Sequence, residues 1–452
     1  MNKKKVKLII LFSIVLTAIF IINHNYITFN HKKNITEFNG VSIYIQNHDG
    51  EHEIVDIKNV SLQKYKLNNE KSNCENGSII SWNEENQKIE FSITGSDNCN
   101  IYFDIKNDNL TLADTILFNN GLTDCGNEEG CESSLVTAMY YLNNRGEPNF
   151  FVPANSNQGV FKTTDINGGN SYYFRGAVND NWVYFAGFYW RIIRIDEDGN
   201  IKMIYSGTTA PTVEQSVVML TEDTSIGTSY YNGRDEDGNY IRLSDENFLE
   251  ESLEAAGYVY SENNLHGSTT DSEIKKVVDA WYNNNLKENY ESYLAKTTYC
   301  VDRTASLDSN FKSWIAYPSV PFEEYEDKDL YMGSYERIEN YSPSLNCKES
   351  NDKINLYAGL ISADEAVFAG ATDDYNDNEE YYLFTDNYFW TLSPQEFDYN
   401  IDMYYIGYKG GIYARDGGHY ESGIRPVISL NSENMYISGN GTYNNPYIVV
   451  EE

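Results

Sequence analysis

Phe185-Ala186-Gly187-Phe188-Tyr189-Trp190-Arg191-Ile192-Ile193-Arg194-Ile195 runs into Asp196-Glu197-Asp198-Gly199-Asn200 and then Ile201-Lys202-Met203-Ile204-Tyr205. This stretch decides the fold. Aromatic and β-branched side chains fill both flanks, and such residues fit a pleated, packed surface better than a helix. The Asp-Gly between them is a turn signal, because glycine tolerates the positive φ that tight hairpins need. A β-hairpin over 185–205 follows. More aromatic strands are expected at Tyr388 to Leu392, Tyr404 to Tyr408, Ile412-Tyr413, Val427 to Leu430 and Tyr447 to Val450.

Two helices interrupt this pattern. Thr270-x-x-Glu273 reads as a capping box ahead of Ile274, Val277, Val278 and Trp281, which share one helical face. Ser362-x-x-Glu365 opens a shorter helix that reaches Ala369, with Gly370 placed to end it. Nearer the amino terminus, Val41 to Ile45, Ile79 to Trp82, Ile89 to Ile93 and Cys99 to Phe103 form a compact β-patterned stretch. The amino terminus itself differs. Lys3, Lys4, Lys5 and Lys7 precede an apolar run from Leu8 to Ile22. That order predicts a single-pass signal anchor in the cell membrane, amino terminus inside and the rest extracellular, with a cleaved signal peptide as the alternative.

The expected organisation is a cytoplasmic tail at 1–5, an anchor at 6–22 and a stalk at 23–36. A small β-sandwich module at 37–106, a linker with short helices at 107–171 and a larger α+β domain at 172–452 complete it. The fold class is therefore α+β behind an N-terminal transmembrane helix.

Among 452 residues, 68 are acidic and 33 basic, a net charge of −35. A phosphate backbone would be repelled, so nucleic acid is excluded as a partner. The expected partners are the lipid bilayer and an extracellular glycan or protein. Six cysteines, Cys74, Cys99, Cys125, Cys131, Cys300 and Cys347, fit disulfides, and proximity favours sequential pairing. No cofactor is expected. Asp196 to Asn200 and its copy Asp235 to Asn239 resemble calcium-loop residues, but the spacing of an EF-hand is missing and hairpin turns are preferred.

No catalytic motif is found. The distinctive residues are Trp190 and Arg191 early, then Trp390, Ser393 and Pro394, and finally Gly423, Arg425 and Pro426. Arg425, at the start of a core strand, needs a carboxylate or carbonyl partner, and a buried ion pair is the expected one.

From about Tyr172 to Val450 the chain resembles a family of uncharacterised exported domains of low-GC Gram-positive bacteria. The resemblance rests on Tyr173 to Val178, Trp190 to Arg194, Cys300-x-Asp302-Arg303, Gly359 to Glu365, Trp390-x-x-Ser393-Pro394 and Gly423 to Val427. More distantly, the last two motifs look like formylglycine-generating-enzyme and C-type-lectin-like folds, which implies twisted β-hairpins with a few helices. The enzyme's late cysteine pair has no counterpart beside the terminal motif. The expected function is recognition of a glycan or protein; a carboxylate-dependent glycan hydrolase and a structural envelope protein are the alternatives.

Overall fold

A computed structural model describes residues 28–29, 40–46, 52–55, 65–83, 88–92, 97–105, 111–120, 148–210, 224–231, 257–260, 270–315, 329–372, 378–397, 401–434 and 436–449. The chain divides into two compact units, Met1–Asn109 and Leu110–Glu452.

The described part of the first unit is built on two sheets. One runs Thr28–Phe29, Lys88–Ser92, Ile79–Asn83; the other runs His52–Val55, Gly40–Gln46, Asn98–Ile105, Tyr65–Leu67, with Asn73–Cys74 also paired to Asn98–Ile105. Trp82 of the first sheet meets Phe103 of the second edge-on, with ring centroids 5.3 Å apart. Cys74 lies opposite Cys99 in antiparallel register, and the two form a disulfide.

The second unit is organised by the hairpin. Phe188–Ile195 pairs antiparallel with Ile201–Tyr205, placing Arg194 opposite Lys202 and Trp190 opposite Tyr205, with a bulge between Ile192 and Arg194. Gly199 takes the positive φ of 81° that the turn requires. Asp196 Oδ1 closes the turn by accepting from the Asp198 and Asn200 N–H groups at 3.0 and 2.8 Å. The copy at 235–239 lies outside the described residues.

Around this hairpin the eight-stranded sheet has the order Ala358–Gly359, Val427–Leu430, Ile201–Tyr205, Phe188–Ile195, Asn170–Gly176, Asn157–Thr164, with Trp182–Phe185 and Tyr447–Ile448 off its path. A seven-stranded sheet has the order Thr228–Ser229, Ser422–Gly423, Phe389–Phe397, Leu330–Met332, Ala305–Ser306, and Ile401–Ile406 and Ile412–Asp416 extend it as a meander. Asn157–Thr164 lies in the stretch expected as a linker, yet it joins the sheet, and Leu112 and Ile116 of the helix Leu112–Asn120 are buried in the same core.

Glu273–Asn285 is helical, but its cap is Ser272, which accepts from the Lys275 N–H at 3.2 Å, not Thr270. The second helix, Ala363–Ala369, has its capping box at Ser362 and Glu365 as expected.

Two expectations are corrected. The described chain is predominantly β, not α+β, because its aromatic and β-branched runs pair into sheets while its helices stay short. The N-terminal transmembrane helix and the single-pass membrane location are not supported either. Among the described residues no helix is long and apolar enough to cross a membrane. The longest, Glu273–Asn285, has 13 residues, and about 20 are needed to span a bilayer core. The apolar run at 6–22 lies outside the described residues.

Candidate functional site

Two places in the second unit concentrate chemistry, one buried and one exposed. The buried one centres on Glu365. Its Oε1 lies 2.7 Å from Lys202 Nζ and 3.0 Å from Arg194 Nε, and Arg194 Nη1 lies 2.9 Å from Asp165 Oδ2. Lys202 also sits over the Tyr299 ring at 3.9 Å. Burial pushes the Glu365 carboxyl up, but Lys202 and Arg194 outweigh it and hold the group at about 2. Nearby, Arg337 bridges Asp302 and Asp364, all three buried. A cavity of about 20 Å3 touches both groups, room for roughly one water. These carboxylates are clamped by cations, an arrangement that fixes structure.

The exposed place lies on the meander of the seven-stranded sheet. Antiparallel register sets Trp390 opposite Tyr405 and Tyr405 opposite Tyr413, so three rings form a row across three strands. Neighbouring centroids lie 6.1 and 6.0 Å apart. Cross-strand aromatic pairs are favourable. The turn between the last two strands is glycine-rich because the rings crowd it: a Cβ at Gly407 would meet the Tyr405 ring, and one at Gly411 the Tyr413 ring.

Arg415 rises beside this row. Its guanidinium lies 4.4 Å from the Tyr405 ring, 5.0 Å from Tyr388, 5.1 Å from Tyr420 and 5.2 Å from Trp390. The gradient of burial is what matters. Trp390 is fully buried, with Nε1 donating to Ser229 O at 2.8 Å. Tyr388 and Tyr420 are 43% and 47% exposed. The cluster is therefore anchored at one end and open at the other.

The sequence-nominated tryptophans, arginines, serine, prolines and glycine are all buried. Gly423 donates its N–H to Tyr388 O at 2.7 Å and holds that ring's backbone. Arg425 is buried, but its partners are carbonyls and a ring instead of the expected carboxylate: Nε donates to Tyr205 O and Nη1 to Leu383 O, each at 2.9 Å, with the guanidinium 4.8 Å over Phe389. Burial pushes its pKa down to about 10. Pro426 O accepts from the Tyr205 N–H at 2.9 Å. Ser393 Oγ accepts from the Ala363 N–H at 3.0 Å, and Pro394 O accepts from the Ser334 hydroxyl. Trp190 donates to Phe185 O at 3.0 Å, while Arg191 donates to Asn181 Oδ1 and Val178 O at 2.6 and 2.7 Å and stacks over Trp182.

Cys300 and Cys347 form a disulfide beside the buried cavity, and Cys125 and Cys131 lie outside the described residues. Motif reading missed Tyr388, Tyr405, Tyr413, Arg415 and Tyr420 as a site. The available signal was Tyr405 and Tyr413 flanking a glycine-rich turn, with Arg415 two residues on, hence on the same strand face. Searches of protein-family models, curated proteins and solved structures found no match.

Proposed function

We propose that the Leu110–Glu452 unit binds carbohydrate on the Tyr388–Tyr420 surface. The observation that carries this reading is the cluster of rings around Arg415, buried at Trp390 and about half exposed at Tyr388 and Tyr420. A pyranose presents an apolar face of C–H groups that stacks on such rings, while its hydroxyls take the hydrogen bonds of polar groups at the rim. Arg415 and the exposed His419 supply that rim. The buried carboxylates around Glu365 serve the framework, so the reading is one of recognition.

Screening the full-length chain on a glycan array, with titration calorimetry on any hit, tests it. Saturable binding to a defined saccharide, weakened in Tyr420→Ala, is the expected result. Capture of a protein ligand at an unchanged level in Tyr420→Ala, with no saccharide binding, would overturn it.

A further inference from the structure

Among the described residues Arg415 is a cation without a counter-ion. Its Nη2 donates to Glu421 O and to the Ser422 hydroxyl, and among the described residues no carboxylate ion-pairs with it. Nε is buried with no hydrogen-bond partner, and Nη1 makes no hydrogen bond to any described residue. Four rings compensate the charge through their faces, but an aromatic face does not replace a hydrogen-bond acceptor. Of the buried arginines elsewhere in the unit, Arg194 and Arg337 each meet two carboxylates, whereas Arg191 and Arg425 donate to an amide oxygen and to backbone carbonyls. Arg415 differs from all four in standing beside exposed rings.

The nearest acidic side chains in sequence are already engaged. Asp416 Oδ1 accepts from the Gly418 and His419 N–H groups at 2.8 and 3.2 Å, and Glu421 Oε2 accepts from the Thr228 hydroxyl at 2.9 Å. The net charge of −35 opposes an anionic ligand at long range. At physiological salt that field is screened beyond roughly 8 Å. An anion at contact distance therefore meets Arg415 together with the neighbouring Asp416 and Glu421 carboxylates, and of these groups only Arg415 donates.

We propose that the glycan taken at this surface carries a carboxylate, as a uronic-acid unit does, and that Arg415 accepts this group at its Nη1 edge while Tyr388 and Tyr420 hold the sugar ring. This rests on the carbohydrate-binding reading above and names the ligand class. A charge-assisted hydrogen bond is roughly twice as strong as a neutral one, which makes an acidic sugar the better ligand for a guanidinium that no described carboxylate pairs.

Binding of the full-length chain to galacturonate, glucuronate and mannuronate oligomers, each beside its methyl ester, tests the proposal. The ester keeps the ring stereochemistry and removes the charge. At least one free acid should bind about tenfold or more tightly than its ester. Arg415→Gln should erase that difference, and Arg415→Lys should retain part of it, with melting temperatures checked for both. If acid and ester bind alike, and Tyr420→Ala weakens both, the role of Arg415 is overturned while carbohydrate binding stands. If no oligomer in the panel binds, the uronic-acid proposal is overturned; if neutral glycans on the array also fail, so is the carbohydrate reading.

Discussion

Lys202 Nζ and Glu365 Oε1 meet at 2.7 Å with both side chains buried, and the pair ties the central hairpin to the first turn of the helix Ala363–Ala369. Arg194 reaches the same oxygen because the bulge after Ile192 sets it opposite Lys202. One carboxylate oxygen thus pairs with two cations from adjacent strands, Asp165 supplying the second negative charge at Arg194, and the other Glu365 oxygen accepts from the Ser362 N–H at 3.1 Å. Cap, hairpin and ion pair form a single device.

Removing that carboxylate leaves Lys202 without its counter-charge and Arg194 with Asp165 alone. Glu365→Gln should therefore destabilise the second unit by about 3–5 kcal/mol, the cost typical of breaking a buried ion pair. Chemical denaturation checks this. A loss under about 1 kcal/mol would mean that water already shares the site.

Two buried acids give stability opposite pH dependences. Glu365 has a folded pKa of about 2, below its unfolded value of about 4.3. Its contribution is complete above about pH 5 and is lost as pH falls toward 2. Asp352 is pushed up to about 6 by burial and by the Asp302 carboxylate, despite hydrogen bonds from the Thr304 N–H and hydroxyl. The folded protein holds its proton after the unfolded chain has released it, so this group costs on the order of 2–3 kcal/mol as pH rises from 4 through 6. Asp352→Asn should flatten stability across that window, as measured by melting temperature against pH. Wild-type and Asp352→Asn profiles of the same slope across that window would contradict the assignment.

Arg425→Ala should lower stability by about 3–5 kcal/mol, because two buried carbonyls, Tyr205 O and Leu383 O, lose their donor at once. Those carbonyls belong to segments far apart in sequence, so the loss is expected across the whole second unit. Hydrogen exchange would show it as faster exchange in both Ile201–Tyr205 and the segment 381–384 that carries Leu383. A change confined to one of the two would assign Arg425 a local role only.

Cys300 and Cys347 are separated by 47 residues and Cys74 and Cys99 by 25. The loop-entropy model gives the longer bridge about 4 kcal/mol and the shorter about 3.5. Replacing Cys300 and Cys347 together by serine should thus cost the second unit more than the corresponding Cys74 and Cys99 replacement costs the first. Non-reducing peptide maps should recover both bridges, and a peptide crossing from Cys74 to Cys300 would contradict the two-unit division.

Local signals in the chain account for much of this architecture. The hairpin over 185–205 was legible because strand-forming runs flank an Asp-Gly turn, and the helix at 363–369 because its cap, apolar run and terminating glycine agree. The cap of Glu273–Asn285 moved to Ser272 because two capable hydroxyls lie within one turn, and Thr270 was recruited into a short strand with Asp271. Lys275, which is not part of the apolar face, is nonetheless buried and paired with Asp279 and Asp271. Ion pairs with residues elsewhere on or beside the helix override a simple apolar face.

The aromatic row was not legible because it depends on register. Trp390, Tyr405 and Tyr413 come from three strands, and nothing local states which residues will face one another. Arg425 was recognised as buried, but carbonyl partners at Tyr205 and Leu383 leave no pattern in the sequence. The burial of Glu365 among cations is equally long-range: its capping role is written locally, its ion pairs 163 and 171 residues away are not.

The central claim is that the Tyr388 and Tyr420 rings, exposed beside Arg415, hold a sugar. The most direct measurement is calorimetric titration of the full-length chain and of its Tyr388→Ala/Tyr420→Ala double variant with a saccharide that the wild-type chain binds. Each ring covers apolar sugar surface worth on the order of 1 kcal/mol, so the double variant should bind about 30-fold more weakly at an unchanged melting temperature. Equal affinity in both proteins, with both folded, would contradict the account.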